Sequence, residues 1–364
     1  MARSIVHIVG ARPQFVKVAV VLRAFQGDAA VENKLVHTGQ HYDDNMSRVF
    51  FDELSIREPD ENLSIATAGQ GAMTGRMLEA LEKSLQTSAP DLVVVYGDTN
   101  STLAGALAAA KLHIPVAHVE AGLRSFNRRM PEEINRVVTD HVSDLLLVPT
   151  ETATANLKRE GCAPDKIYLV GDVMYDSTAY FSDTAESATL SRLGLSGDTF
   201  ALATIHRAEN TDDATRLSAI VSGLAAFSKK CPVVFPLHPR TAAALKALGW
   251  SNDEPDTVHL VEPVGYLEMI ALERAAALVI TDSGGVQKEA FFAGTPCVTL
   301  RDETEWVELI ETGVNQILAP TDPSVIAHGL QNALNNPPDP WPETDLYGGG
   351  LAGSRIAKIL GGDL

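Results

Sequence analysis

The chain has 364 residues and a formal net charge of −18, from 47 Asp and Glu against 29 Lys and Arg. So acidic a chain is a poor partner for nucleic acid or an anionic membrane surface, and its length allows two domains with cores of their own. Three cysteines, Cys162, Cys231 and Cys297, stand far apart and fit neither a metal-binding spacing nor a disulfide framework, so a reducing cytoplasm is expected. Arg12 and Lys17 break the first apolar run too early for a secretory signal. No stretch approaches the roughly 20 apolar residues of a transmembrane helix.

In chain order, short runs rich in Val, Ile and Leu predict strands at Ser4–Val9, Val31–His37, Leu92–Tyr96, Val116–Val119, Leu145–Val148 and Ile167–Val170. Helical patterns lie between them, as at Gly75–Leu85 and Ser101–Leu112. The rhythm restarts at Phe200–Thr204 and runs through Val233–Pro236, Val258–Val261, Ala277–Thr281, Cys297–Leu300 and Gln316–Leu318. Strands alternating with helices predict parallel sheets buried on both faces. The expectation is an α/β chain of two Rossmann-like, doubly wound domains facing a cleft. Residues 1–171 plus 354–364 form the first domain and 172–353 the second, with the final helix Ser354–Leu360 packing back on the first half. Asn335–Gly350, rich in Pro and Gly, reads as a linker, and Gly69-x-Gly71-x-x-x-Gly75 as a flexible loop.

Six turns after strands carry the chemistry. Gly10-Ala11-Arg12-Pro13-Gln14 starts a helix, with Pro13 suited to its first position; Arg12 and Lys17 there add cations to the helix dipole, a pocket for a diphosphate. Tyr96-Gly97-Asp98-Thr99-Asn100 and His118-Val119-Glu120-Ala121-Gly122 follow successive strands, and Pro131-Glu132-Glu133 leads to Asn135-Arg136. Asp98, Glu120 and one of Glu132 and Glu133 can therefore converge at the carboxyl edge of the sheet, where crowded carboxylates divide acid and base roles. Asp98 as a helix N-cap and Glu132 as a first-turn glutamate are the structural alternatives. In the second half His206, at a strand end, can donate to a phosphate or move a proton, and His238 is a similar case. Ser283-Gly284-Gly285 opens a helix after a strand, which suits a phosphate, and Glu289, about a turn and a half on, can take hydrogen bonds from two ribose hydroxyls. Together these point to a nucleoside diphosphate. Nothing calls for a metal.

On these motifs the chain resembles the non-hydrolysing UDP-N-acetylglucosamine 2-epimerases. Gly10–Pro13, Thr38–His41, Gly97–Thr99, His118–Arg124, Pro131–Arg136, His206-Arg207, Ser283–Glu289, Arg301–Glu305 and Gly350–Ile356 occur in that family's order over nearly the whole length. The resemblance implies two domains of glycosyltransferase-B type, a cytoplasmic homodimer, no cofactor or metal, and a UDP-N-acetylhexosamine substrate for cell-envelope polysaccharide synthesis. It implies that UDP-GlcNAc and UDP-ManNAc interconvert by elimination of UDP to 2-acetamidoglucal and re-addition. Asp98, Glu120 and Glu132 match the catalytic carboxylates and His206 the catalytic-site histidine. Arg12, Lys17, Arg136, Ser283 and Glu289 match UDP contacts.

Two departures look like the branch acting on UDP-2,3-diacetamido-2,3-dideoxyglucuronate: Gln14 where many members have Glu, and Trp306-Val307 where many have Arg-Pro. Loss of a carboxylate at position 14 would suit a sugar carrying its own, by removing like-charge repulsion. His41-Tyr42-Asp43 after Gln40 and Ala208 after Arg207 depart from members activated at a second site, so no such activation is expected. A UDP-sugar glycosyltransferase of the same architecture is the rival of another class. The set of three carboxylates favours epimerisation.

Overall fold

The computed structural model describes residues 2–40, 51, 53–66, 69–181, 186–250, 258–342 and 344–362. The chain divides into two compact units, Met1–Ser177 with Thr344–Leu364, and Thr178–Glu343. Unit 1 holds a seven-stranded sheet in the order β3-β2-β1-β4-β5-β6-β7. Its strands are β1 (Arg3–Val9), β2 (Val31–His37), β3 (Glu61–Asn62), β4 (Leu92–Tyr96), β5 (Val116–Val119), β6 (Leu145–Val148) and β7 (Ile167–Leu169). Unit 2 holds a six-stranded sheet in the order β10-β9-β8-β11-β12-β13. These are β8 (Ala201–Thr204), β9 (Val233–Pro236), β10 (Val258–Val261), β11 (Leu278–Thr281), β12 (Cys297–Thr299) and β13 (Asn315–Ile317). Every pairing in both sheets is parallel.

The central strands are buried and mostly apolar because helices cover both faces: Leu92–Tyr96 and Leu278–Thr281 are buried throughout. In each sheet the order reverses once, between β1 and β4 and between β8 and β11. A doubly wound sheet opens its ligand crevice at such a point, beyond the carboxyl ends of the two strands. At this seam unit 1 joins His7 Nδ1 to the Tyr96 hydroxyl at 2.7 Å, and unit 2 joins the hydroxyls of Thr204 and Thr281 at 2.6 Å.

The expected strands are present, with ends moved by one residue at most. The two-residue strand β3 was not anticipated; it is short, polar and exposed. Gly69–Gly75 is no loop: Gly69 caps α2 (Gln70–Ser88), and Gly71 and Gly75 lie inside it. Pro13 is second rather than first in α1 (Arg12–Ala24). The unit boundaries also differ from those expected at 171 and 354. The Asp176 carboxylate accepts the backbone N–H groups of Ala352, at 3.1 Å, and Gly353, at 2.8 Å. That cap ties residues 172–177 and the returning terminal helix to unit 1.

Candidate active site

In unit 1 the turns after β4 and β5 meet helix α4 (Pro131–Val142), which follows α3 (Asn100–Lys111) in the chain. Thr99, not Asp98, is the N-cap of α3, its hydroxyl accepting the Thr102 N–H at 3.3 Å. Asp98 is thereby free to face outward, with its side chain about a third exposed, and Arg136 grips its Oδ2 through Nε at 3.0 Å and Nη2 at 2.7 Å. Asn135 donates to the Asp98 carbonyl at 2.8 Å, so one helix turn holds both ends of that residue.

Glu120 stands at the end of β5 with φ 72°, in the left-handed region where a non-glycine residue stores roughly 1–3 kcal/mol of strain. Its carboxylate is ion-paired with the buried Lys17 ammonium from α1. Gly97 lies against this pair with φ 60°; a Cβ there would come within 3.1 Å of Lys17 Nζ and 3.2 Å of Glu120 Oε2. The left-handed backbone at residue 97, with the ends of both side chains so close, favours glycine here.

The structure separates the two glutamates that the sequence left open. Glu133 is buried and accepts from the Ser125 N–H at 2.9 Å, the Phe126 N–H at 3.0 Å and Arg136 Nη1 at 2.9 Å. It is a clamp for the loop before α4. Glu132 is exposed and has no hydrogen bond or ion pair with another described residue, so its carboxyl can meet a substrate. Lys17 and Arg136, expected to touch UDP, each hold a carboxylate in this structure. Arg12 opens α1 and is half-buried.

Gln14 occupies a position unlike the one expected. It is 1% exposed, accepts the N–H groups of Gly10 at 2.8 Å and Ala11 at 3.0 Å, and donates to the Tyr96 carbonyl at 2.8 Å. It lies beneath the first turn and locks it to the end of β4. Like-charge repulsion of a sugar by residue 14 is therefore not a direct contact. An amide fits here because it both accepts and donates.

In unit 2 the turn after β8 carries His206 and Arg207, and the turn after β11 carries Asp282 and Ser283. The wholly buried Asp282 carboxylate accepts the N–H of His206 at 3.0 Å, the N–H of Arg207 at 3.0 Å and Asn210 Nδ2 at 3.0 Å, and lies 3.5 Å from His206 Nδ1. His206 is about two-fifths exposed, and its ring centroid lies 5.7 Å from that of His238. His238 also caps the helix Pro239–Ala247, Nδ1 accepting the Arg240 N–H at 3.2 Å.

Ser283 caps α5 (Gly284–Ala293), its hydroxyl accepting the Val286 N–H at 3.4 Å. A Cβ on Gly284 would sit 2.5 Å from Glu305 Oε1 and 3.8 Å from Arg207 Nη2. A Cβ on Gly285 would sit 4.0 Å from Glu289 Oε2, which puts Glu289 on the face of α5 that carries the glycine-opened start. Arg301, 1% exposed, donates to Glu305 Oε2 at 2.9 Å. Asp282, Arg207, Arg301 and Glu305 were not among the expected site residues. An aspartate next to the Ser-Gly-Gly motif was a visible signal for the first, and the motifs His206-Arg207 and Arg301–Glu305 contained the other three; only the approach of Arg207 to Glu305 spans too much sequence to be read.

Two Rossmann-like units with charged side chains at their switch points, one of them a glycine-opened helix start with an acidic residue behind it, define an enzyme of nucleotide-sugar chemistry. The model of the UDP-N-acetylglucosamine 2-epimerase family matches residues 23–361, and the chain belongs to that family, whose named members are isomerases. It is 52% identical over 361 residues to the UDP-2,3-diacetamido-2,3-dideoxy-D-glucuronate 2-epimerase of Pseudomonas aeruginosa, covering 98% of this chain and 99% of the relative. It is 43% identical over 361 residues to the UDP-N-acetylglucosamine 2-epimerase of Methanocaldococcus jannaschii, covering 97% of each. The crystal structure of the M. jannaschii UDP-GlcNAc 2-epimerase in complex with UDP-GlcNAc and UDP matches with a TM-score of 0.90 at 42% identity, covering 99% of both chains. The residues His41–Asp43, on which the expectation about second-site activation partly rests, lie outside the described residues.

Proposed function

We propose that the protein inverts C2 of a UDP-N-acetylhexosamine by eliminating UDP and adding it back. The observation that carries this reading is the pair of carboxylates on adjacent strand ends, Asp98 held by Arg136 and Glu120 by Lys17. The C2 hydrogen is not acidified by a neighbouring carbonyl. Cleavage of the C1–O bond must lead or accompany its removal, and the sugar then carries oxocarbenium character. Carboxylates placed beside the sugar stabilise that charge. Inversion needs proton handling on both faces of C2, and the exposed Glu132 adds a third carboxyl for that work. In the same reading Arg12, the Ser283–Gly285 helix start and His206 stabilise the leaving diphosphate. Glu289 takes the ribose hydroxyls, and His238 supports the nucleotide side. A homodimer working in the cytoplasm on cell-envelope precursors completes the proposal.

Two sugars compete. UDP-GlcNAc, interconverted with UDP-ManNAc, is the simple substrate. The 52% identity to an enzyme named for UDP-2,3-diacetamido-2,3-dideoxyglucuronate favours that acidic sugar over it. Both are tested by proton NMR in D₂O. Deuterium entering C2 with growth of the 2-epimer identifies the substrate. Silence on UDP-GlcNAc with turnover of the glucuronate assigns the acidic sugar, and equal turnover of both removes the discrimination. Free UDP accumulating only with an acceptor would move the protein to glycosyl transfer.

A further inference from the structure

Beneath the unit 1 carboxylates lies a buried group of charges that the reaction itself does not use. Asp140, on α4 two turns beyond Glu132, is 1% exposed. Its Oδ1 takes His118 Nδ1 at 2.7 Å, and its Oδ2 takes the Gly122 N–H at 3.1 Å and Arg124 Nη2 at 2.7 Å. The other nitrogen of His118, Nε2, meets the Gly97 carbonyl at 2.7 Å. A backbone carbonyl can only accept, so Nε2 donates to Gly97 while Nδ1 faces the Asp140 carboxylate. Arg124 is held in turn by Glu160, through Nε at 2.8 Å and Nη2 at 2.7 Å, and Asn156 Nδ2 closes on the Gly122 carbonyl at 3.1 Å.

Burial alone would raise the Asp140 carboxyl out of its usual range, but His118 and Arg124 reverse this and hold it low, so it stays anionic. The positions of its partners give the group its meaning. Gly97 immediately precedes Asp98, and Gly122 follows Glu120 by two residues. Both turns are left-handed, at φ 60° for Gly97, 72° for Glu120 and 83° for Gly122. The two glycines take such φ values freely, but Glu120, a non-glycine residue, persists there only where surrounding bonds over-determine it. One carboxylate on α4 therefore reaches both turns, one directly and one through an imidazole.

We propose that Asp140 and His118 are positioning residues of the epimerisation site: the relay from Asp140 through His118 to the Gly97 carbonyl, with the Asp140–Gly122 bond, sets the distance between the Asp98 and Glu120 carboxylates. This rests on the 2-epimerase reading. A misplacement of about 1 Å can cost on the order of 100-fold in rate.

The test uses His118→Phe, which keeps a ring but no donor, and Asp140→Asn, which keeps an oxygen for Gly122 and Arg124 and turns an N–H toward the ring. C2 deuterium exchange on the substrate turned over by the unaltered protein gives kcat and KM. Calorimetric titration with UDP reports binding by unit 2, and circular dichroism reports the folded fraction. The expected result is a loss in kcat per folded molecule of about 100-fold for His118→Phe and about 10-fold for Asp140→Asn, with KM and the UDP dissociation constant within about twofold. Should His118→Phe not fold, the milder variant alone decides. Lower thermal stability with kcat per folded molecule within about threefold would reduce the group to a structural one and overturn the proposal. So would parallel losses in kcat and UDP affinity. An unaltered protein inactive on both sugars sinks the 2-epimerase reading, and this inference with it.

Discussion

The two sheets have the same winding and reversed order at the same place, yet they furnish their switch points in opposite ways. Unit 1 uses side-chain charges held in buried or partly buried pairs: Lys17 with Glu120, Arg136 with Asp98 and Glu133, Asp140 with His118 and Arg124. Unit 2 offers backbone N–H groups at the start of α5, opened by Gly284 beside the Arg301–Glu305 pair, and gathers the turn after β8 around the Asp282 carboxylate. The seams beneath them follow suit, an imidazole–phenol bond in one and a hydroxyl pair in the other. Charge that must act on a developing cation is expensive to bury and needs partners. A diphosphate needs many fixed donors, and a helix start supplies them without side chains. The division of labour proposed for the two units follows from that difference.

The largest expected effect separates chemistry from binding. Glu120→Gln keeps an oxygen for Lys17 but removes the carboxylate, and C2 deuterium exchange should fall about 10²–10⁴-fold while calorimetry shows UDP affinity within twofold. A variant that exchanges at the normal rate would remove Glu120 from the mechanism.

The second test turns on the seam. Burial holds the His7 imidazole at about 4, from 6.5, and the bond to Asn33 only partly offsets this. With the folded value lowered, His7 favours the fold fully above pH 6.5, and that contribution is lost as pH falls from 6.5 toward 4. The loss amounts to about 3 kcal/mol at about 1.4 kcal/mol per pH unit. Urea unfolding at pH 7 and pH 4.5 should show a steeper decline for the unaltered chain than for His7→Asn. Parallel declines would mean that the ring is charged in the fold.

The smallest effect sharpens the other half. In Gly284→Ala the new methyl meets Glu305 Oε1 at 2.5 Å, and UDP binding should weaken about tenfold, or about 1.4 kcal/mol, with kcat unchanged. Unaltered affinity would show that the helix start is not where the diphosphate rests.

Much of the fold was legible because a strand covered on both faces is mostly apolar and ends where glycine allows a turn, as Leu92–Tyr96 before Gly97 illustrates. The candidate carboxylates were legible by the same logic, since they follow such strands. Pairing was not. Arg136 and Asp98 are 38 residues apart, and Lys17 and Glu120 are 103, so charge type alone could not distinguish a ligand contact from a partner for a buried carboxylate. Nor could adjacency tell Glu132 from Glu133, which differ only in the side of α4 they occupy. Gln14 showed a departure whose meaning depended on burial. Gly69–Gly75 was misread because open glycines on an exposed helix face resemble a loop in composition.

The return of the terminal helix to unit 1 bears on the order in which the protein is made. The helix Ala352–Gly361 buries Ala352, Ile356 and Leu360 and packs on α1, so the first unit to leave the ribosome is the last to be completed. Unit 2, continuous from Thr178 to Glu343, has all its strands in hand before that helix appears. Domains fold as they emerge. Synthesis therefore presents the nucleotide-handling unit finished while the carboxylate-bearing unit still waits for its closing segment, so a chain stalled short of residue 352 would hold one complete unit and one that lacks the helix against which α1 packs.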